Sequence, residues 1–557
     1  MQTVGVALIK LLEEYGVQHV FGIPGVHTIE LYRGLADSEI IHHTPRHEQG
    51  AGFMADGYSR VSGKPGVCFV ITGPGLTNIA TAMGQALADS IPMLVISSVN
   101  DHVSAPVSHG NLHEMPDQSA MIANVSRHSQ TIRDESELAH ALAVAFSVFN
   151  SQRPGPVHLQ LPISLLGQPL DTPQSVSNPS TVPRSAARPC ADHQQLDNAV
   201  ELLQNASSPV LLIGGGARHA AAEITALAEK LDAPAHLTIN AKGIVPISHP
   251  LALPASGSTQ ATRKLLNESD VVLAIGTELA PTDYDMYRDF EFRIPGKLIR
   301  CDIDAAQVHL NLQPDVALIG DAGSTALQLT ERLQQFDRRN TKSRDTQSGK
   351  QRTQAAMDFA MSEFTDEASC HLQLLQTIQI TLPGSIVVGD STQLIYSGNM
   401  IHNTDAPNQW FNSSVGFGTL GYALPAAIGA SIAKNAEDEH GQKATAPVVC
   451  LIGDGGLQFV LGELGTLVDS AASVAIIVWC NNGYREIKTT MENADVTTVG
   501  VDLVVPDFAM IATAYGINSV NANTMDELSA ALETYRANHK STMIVVEERS
   551  LLDSMQV

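Results

Sequence analysis

The sharpest alternation of apolar and polar positions lies between Val448 and Met491. An apolar run, Val448 to Ile452, meets the turn Gly453-Asp454-Gly455-Gly456. A stretch of helical periodicity, Leu457 to Val468, follows. A second apolar run, Val474 to Trp479, then ends at Asn481-Asn482-Gly483. Short continuous apolar runs separated by a helix predict a βαβ unit whose strands are buried on both faces of a parallel sheet. Both strands then point the same way, so Asp454 and Asn481 leave the same carboxyl edge, where ligands of open α/β sheets bind. A carboxylate and an amide oxygen there suit a hard cation such as Mg²⁺, which takes oxygen ligands and shares them with a phosphate. The glycines let backbone N–H groups approach that phosphate at a helix N-terminus. Taken alone, Gly-Asp-Gly is more readily an ordinary strand-to-helix turn. The Asn pair closing the second strand is what makes the cation reading specific.

The same periodicity recurs along the chain. Residues 1–166 alternate helix and strand: Val20 to Gly22 ahead of a Pro-Gly turn at Gly25, Val67 to Thr72 ahead of Gly73-Pro74-Gly75, Met93 to Ser97, and Pro156 to Leu161. The run 69–97 follows the plan of 450–479: strand, Gly-x-Gly turn, Leu, a helix of small residues, Asp-Ser, apolar strand. Two similar domains flanking the middle of the chain explain such an echo, and convergence of generic βαβ units also does. Residues 167–190, rich in Pro and Ser, predict a linker. In 191–335 the strands Val210 to Ile213, Val271 to Ile275 and Lys297 to Ile303 predict a central domain. Its Gly214-Gly215-Gly216 lacks the full dinucleotide fingerprint and is better taken as a tight turn than as a phosphate cradle. Residues 336–362 begin highly charged and predict a second linker. Residues 363–557 form the last domain, with Ile386 to Val388 running into Gly389-Asp390-Ser391-Thr392. The expectation is an α/β chain of three doubly wound parallel-sheet domains.

Composition narrows the partners. With 557 residues the chain holds about three to four domains on the usual size prior. A net charge of −25 argues against nucleic acid and anionic membrane as partners. Six scattered cysteines form no Cys-x-x-Cys, the N-terminus has no signal-peptide pattern, and no apolar run reaches membrane-spanning length; these predict a cytoplasmic protein with reduced thiols.

The metal turn with its Asn pair resembles the thiamine diphosphate signature of the acetolactate synthase and pyruvate decarboxylase superfamily. In that family the metal-binding Asn is usually the second of a pair, with the metal-binding carbonyl two residues on. Counted from Asp454, Cys480 takes the first place and Asn481 the second, so the resemblance implies Asp454, Asn481 and the Gly483 carbonyl as metal ligands. Arg46-His47-Glu48-Gln49-Gly50-Ala51 resembles the family's R-H-E-Q-x-A segment and places Glu48 on the catalytic glutamate. A carboxylate hydrogen-bonded to the cofactor's aminopyrimidine is what lets that ring remove the thiazolium proton. Read without the family, Glu48 is a helix-start carboxylate favoured by the dipole. The run 414–430 resembles the segment that holds the pyrimidine through the Gly418 carbonyl and the Leu420 N–H, Leu420 being the bulky residue that bends the cofactor. Ile71 to Asn78 resembles the S-G-P-G-x-T-N segment beside the active site. Gly25, Thr72, Asp390, Ser391, Thr392, Gly453, Gly455, Gly456 and Tyr484 complete the implied cofactor contacts. The family relation also implies a homodimer at least, often a homotetramer, with Glu48 serving the neighbouring subunit's cofactor.

The reaction is a choice among fates of one 2-oxo acid adduct: after CO₂ leaves, protonation gives an aldehyde and attack on a second carbonyl gives an acyloin. His109 and His113 are the candidates for proton transfer, with Glu114 and Gln118 nearby and Gln118 counted with His113 among the catalytic residues; for the histidines an exposed loop position is an equal reading. Four local stretches, 21–38, 112–120, 276–287 and 481–488, resemble the 5-guanidino-2-oxopentanoate (2-ketoarginine) decarboxylases, which release 4-guanidinobutanal and CO₂. A guanidinium tail calls for carboxylates, ideally bidentate; Glu114, Asp283, Asp285 and Glu486 are the candidates. Arg485 stands where relatives tend to have Gly. The alternatives are an acetolactate-synthase-like carboligase, with FAD in the central domain less favoured, and a catalytically silent nucleotide-binding scaffold.

Overall fold

A strand buried on both faces needs a neighbour on each edge, and the apolar runs find them. In a computed structural model of the chain, residues 2–101, 109–170, 187–286, 292–334, 347–435 and 446–555 are described. They form three six-stranded sheets in which every registered pair is parallel. Helices alternate with the strands along the chain.

The first sheet runs, in space, Ile41–His43, His19–Gly22, Gly66–Val70, Met93–Val99, Pro156–Pro162, His128–Thr131. Strand order reverses between His19–Gly22 and Gly66–Val70, where Gly22 lies opposite Phe69. The turns after these two strands, at Gly25 and at Thr72-Gly73, therefore leave the carboxyl edge at the switch point, where a crevice opens. The sheet Trp410–Asn412, Ile386–Gly389, Val448–Gly453, Ala475–Cys480, Thr542–Glu547, Asn518–Asn521 repeats that strand order. The echoed runs 69–97 and 450–479 fall on its third and fourth strands and on those of the first sheet, so the echo reflects shared topology. The central sheet is different: Val316–Ile319, Lys297–Asp302, Val271–Ile275, Val210–Ile213, Ala235–Leu237, Ala252–Leu253, the other common doubly wound order.

By contacts the chain forms two compact units. One comprises Met1–Ala187, Gly416–Asn521 and Ala537–Val545; the other comprises Arg188–Val415, Ala522–Arg536 and Val546–Val557. Inside the first, helix Glu48–Ser62 crosses helix Ala423–Asn435 with backbone against backbone. A Cβ on Gly57 would lie 2.0 Å from the Ala426 carbonyl oxygen, and one on Gly429 would lie 1.9 Å from that of Met54. Only glycine permits this approach. Beside the crossing, buried Arg60 pairs with Asp56 at 2.7 Å and with Asp89 at 2.5 Å, and Tyr422 donates to Asp56.

Two expectations change, and the reading of the triple glycine gains a physical reason. The helix expected over Leu457 to Val468 is two short helices, Asp454–Gln458 and Glu463–Asp469. The break at 459–462 lets Phe459 and Val460 close on Gly421, where a Cβ would meet them at 2.8 and 3.0 Å. The expected linker 336–362 is in part helical: Gly349–Ser362 starts at a capping box between Ser348 and Gln351 and buries Thr353, Ala356 and Ala360 on one face. Its polar start, 336–346, and 171–186 of the first linker lie outside the described residues. Of the three glycines 214–216, a Cβ on Gly214 would lie 2.1 Å from the Gly276 carbonyl oxygen and one on Gly216 would lie 3.0 Å from the Gly276 Cα, so neighbouring backbone occupies the space a phosphate cradle would use. Among the described residues no helix is long and apolar enough to cross a membrane.

Candidate active site

The register of Val448–Gly453 on Ala475–Cys480 pairs Gly453 with Trp479. Asp454 follows the first strand and Asn481 the second, so both leave one edge. The buried Asp454 carboxylate accepts the N–H groups of Gly455 at 2.7 Å, Asn482 at 2.8 Å and Gly483 at 3.2 Å. Asn482 stands at φ 67 and Gly483 at φ 128, values that wrap the second loop around the carboxylate. Burial pushes the Asp454 carboxyl above its ordinary range, and the loop N–H groups oppose this. A carboxylate held in a collar of N–H groups at a sheet edge is suited to receiving a cation. The Tyr484 ring covers Gly455, whose Cβ would lie 2.8 Å from it, and Tyr484 donates its N–H to Val501 at 2.9 Å. Gly456 continues the first turn of the short helix that Asp454 opens.

Glu48 opens helix Glu48–Ser62, and His47 caps it by accepting the Gln49 N–H. Asn78 donates to Glu48 Oε2 at 2.9 Å. The other oxygen, Oε1, lies 3.6 Å from where a Cβ on Gly75 would be. The carboxylate therefore sits over the Gly73–Gly75 turn at the switch point. Gly25 packs on the same turn: a Cβ there would meet Ile71 at 2.3 Å. Gly418, at φ +73, has open space where its Cβ would be, and half-buried Leu420 follows it. Thr419 binds Gln85 at 3.0 Å, and the Phe417 ring lies on Gly84, anchoring this segment to helix Pro74–Ala88.

Gln118, expected among the catalytic residues, has its amide engaged within the protein. It is buried, its oxygen takes Thr72 Oγ1 at 2.8 Å and the Gly73 N–H at 3.2 Å, and its nitrogen gives to Ser98 and Gln160. It fixes the turn. Thr72 spends its hydroxyl on Gln118 and on the His113 carbonyl. The His113 backbone lies against Gly73, and its ring meets His27 edge-on with centroids 5.2 Å apart. Burial and the neighbouring His113 lower the His27 pKa, and His27 Nδ1 is buried without a hydrogen-bond partner.

Family models for the thiamine pyrophosphate enzymes match in sequence: the N-terminal TPP binding domain over residues 2–121, the central domain over 196–329, and the C-terminal TPP binding domain over 390–546. A probable 2-ketoarginine decarboxylase of Pseudomonas aeruginosa is 41% identical over 534 residues, 95% of this chain and 91% of that protein. The chain belongs to the thiamine pyrophosphate enzymes. It is a thiamine diphosphate-dependent decarboxylase, a carboxy-lyase, and the carboligase alternative fits less well. An acetolactate synthase of Arthrospira platensis is 30% identical over 558 residues, 97% of this chain and 93% of that protein. The fold matches the thiamine diphosphate-dependent 4-hydroxybenzoylformate decarboxylase of Rhodococcus jostii with TM-score 0.78 at 22% identity, over 98% of this chain and 99% of that one.

For this thiamine pyrophosphate enzyme the remaining candidates separate. Asp390 is buried at the end of strand Ile386–Gly389 and accepts the Ser391 N–H at 3.0 Å; Ser391 meets Ser413 at 3.3 Å and Thr392 opens helix Gln393–Ile401. Two of the candidate substrate carboxylates are engaged within the central domain. Asp285 pairs with buried Arg263 at 3.2 Å, and Asp283 accepts the Ile239 N–H at 3.2 Å; both serve the frame of the central domain. Glu114 holds its own loop by accepting the N–H groups of His109 at 3.0 Å and Asn111 at 2.8 Å. Glu486 is exposed in the first turn of helix Arg485–Asn493, directly after the 481–483 turn. Sequence reasoning missed Asn78 and His27. Asn78 closed a quoted motif, and His27 followed the Gly25 turn, but nothing local marks either as facing the site.

Proposed function

We propose that this decarboxylase acts on 5-guanidino-2-oxopentanoate, releasing 4-guanidinobutanal and CO₂, with Mg²⁺ holding the diphosphate of its cofactor, as a cytoplasmic homodimer or homotetramer. The observation that carries the substrate is the 41% identity across 95% of the chain to a probable 2-ketoarginine decarboxylase, against 30% to an acetolactate synthase. The residues present fit the cofactor: a buried carboxylate collared by N–H groups suits a diphosphate-bound cation, and the open side of Gly418 leaves room for a ring. Asp454, Asn481 and the Gly483 carbonyl would hold Mg²⁺. Gly453, Gly455 and Gly456 would hold the diphosphate, and Gly418 and Leu420 the pyrimidine. Bound thiamine diphosphate supplies the nucleophilic carbon and the electron sink for decarboxylation. Glu48, oriented by Asn78 through Oε2, holds a proton at Oε1 toward the pyrimidine. His113 returns a proton at the product carbon. Glu486 offers the guanidinium an exposed carboxylate.

A CO₂-release assay over a panel of 2-oxo acids with thiamine diphosphate and Mg²⁺ tests this. A site that hydrogen-bonds a guanidinium is expected to favour 2-ketoarginine over pyruvate by about a hundredfold or more in kcat/KM. Acetolactate formed from pyruvate, with no turnover of 2-ketoarginine, would overturn the proposal.

A further inference from the structure

The residue that fixes where Glu48 stands comes from the far end of the chain. Glu463 opens helix Glu463–Asp469 and is 2% exposed. Its Oε1 accepts the N–H groups of Arg46 at 3.0 Å and His47 at 3.1 Å; its Oε2 accepts Thr466 Oγ1 at 2.7 Å. Those two N–H groups belong to the residues directly before Glu48. A Cβ on Gly50, two residues after Glu48, would lie 2.3 Å from Glu463 Oε1. One carboxylate thus fills the space on both sides of Glu48. The Arg46 side chain adds a second tie: it lies over Gly462 and Gly465, where Cβ atoms would meet it at 3.2 and 3.0 Å, and pairs with Asp469 at 2.5 Å.

We propose that Glu463 is a positioning residue for Glu48, a buried anionic cap on the strand-to-helix corner that sets the direction in which the Glu48 side chain leaves the backbone. This rests on the reading of Glu48 as the carboxylate that engages the cofactor. A charged acceptor bonded to backbone N–H groups makes a stronger and more directional tie than a neutral one. An error of about 1 Å in a reacting group costs on the order of a hundredfold in rate, so a cap on this corner governs turnover without touching substrate. Only four residues, 459–462, separate the Glu463 helix from the helix Asp454–Gln458 that carries the metal turn. The cap therefore ties the metal turn and the Glu48 corner of one chain to each other.

Two substitutions perturb the cap independently. Glu463→Gln keeps the shape and sets an amide against two N–H donors. Gly50→Ala leaves the carboxylate chemically intact and displaces it. In each, kcat, KM, the affinity for thiamine diphosphate with Mg²⁺ and the rate of hydrogen–deuterium exchange at the cofactor's C2 are measured, with circular dichroism to confirm folding. Both are expected to lower kcat and the C2 exchange rate about tenfold or more while KM and cofactor affinity stay within about threefold. Either change added to Glu48→Gln is expected to lower exchange no further. Unchanged exchange in a folded variant, a loss confined to cofactor affinity, or additivity with Glu48→Gln overturns the positioning role. Should Glu463→Gln fail to fold, Gly50→Ala decides alone. Normal exchange in Glu48→Gln itself would instead refute the reading of Glu48.

Discussion

Gly483→Ala isolates the loop proposed to hold Mg²⁺. At φ +128 this position lies in a region that side chains avoid, and a Cβ would sit 2.2 Å from the Val501 carbonyl oxygen. The same carbonyl accepts the Tyr484 N–H at 2.9 Å, and the Gly483 N–H reaches Asp454 at 3.2 Å. Relieving the collision moves the loop away from both. Backbone strain of this kind costs about 1–3 kcal/mol, and each hydrogen bond lost adds about 1 kcal/mol. With two hydrogen bonds lost the total is about 3–5 kcal/mol, set against the geometry that the proposed Mg²⁺ site needs. Because about 1.4 kcal/mol is tenfold in a binding constant, Mg²⁺ affinity at saturating thiamine diphosphate should fall at least a hundredfold. Trp479, two residues before Asn481 and one of only two tryptophans, reports the titration by fluorescence. Gly500→Ala is the control: its φ is +73, yet nothing lies within 4 Å of its Cβ position, so it carries strain without collision. Mg²⁺ binding by Gly483→Ala within threefold of the parent, or an equal loss in Gly500→Ala, would refute the reasoning.

Acid should destabilise the protein well above the carboxylate range. Burial pushes His158, His236 and His402 down to about 3, with Lys242 adding to the effect on the latter two. A depressed histidine keeps its full stability above the unfolded value near 6.5 and loses it as pH falls, about 2 kcal/mol for each by pH 5 and roughly 6 kcal/mol for the three. Urea midpoints at pH 7.5 and 5 measure this, and equal midpoints contradict it. Gly57→Ala should destabilise by about 1–3 kcal/mol through overpacking at the helix crossing, seen as a lower denaturation midpoint. A midpoint unchanged by that substitution would mean the two helices do not meet there.

What could be read from the residues depended on how many neighbours each element has. Runs such as Val448–Gly453 and Ala475–Cys480 are buried throughout, so their apolar continuity is forced and visible. His128–Thr131 and Asn518–Asn521 lie at sheet edges and are only partly covered, so their polar residues gave no strand signal. The same division holds at the site. Asp454, Asn481 and Glu48 could be named as candidates because the turn or helix that presents each has a local pattern. Glu463 could not: it binds Arg46 across 417 positions, and a buried carboxylate looks in sequence like any helix-start Glu. The surroundings of Gln118 were hidden for a related reason. A polar residue beside a functional turn has the same composition whether its amide faces a substrate or is used up by Thr72, Gly73, Ser98 and Gln160.

The helix crossing holds these scattered residues of one chain in a fixed frame. Gly57 on Ala426 and Gly429 on Met54 bring two backbones into contact, and such a contact cannot slide without collision. A buried ion pair is a weak source of stability because desolvation opposes the attraction. Arg60 nonetheless binds Asp56 and Asp89 at once, and Gln85 joins Asp89 at 2.9 Å to Thr419 at 3.0 Å. That chain of contacts runs from the Glu48 helix, through helix Pro74–Ala88 with Asn78, to the segment of Gly418 and Leu420. Its geometry is satisfied at one register only. Glu48 and the Gly418–Leu420 backbone are thus fixed within one chain by its own packing, so on the proposed reading binding does not have to supply the order in the sites they serve.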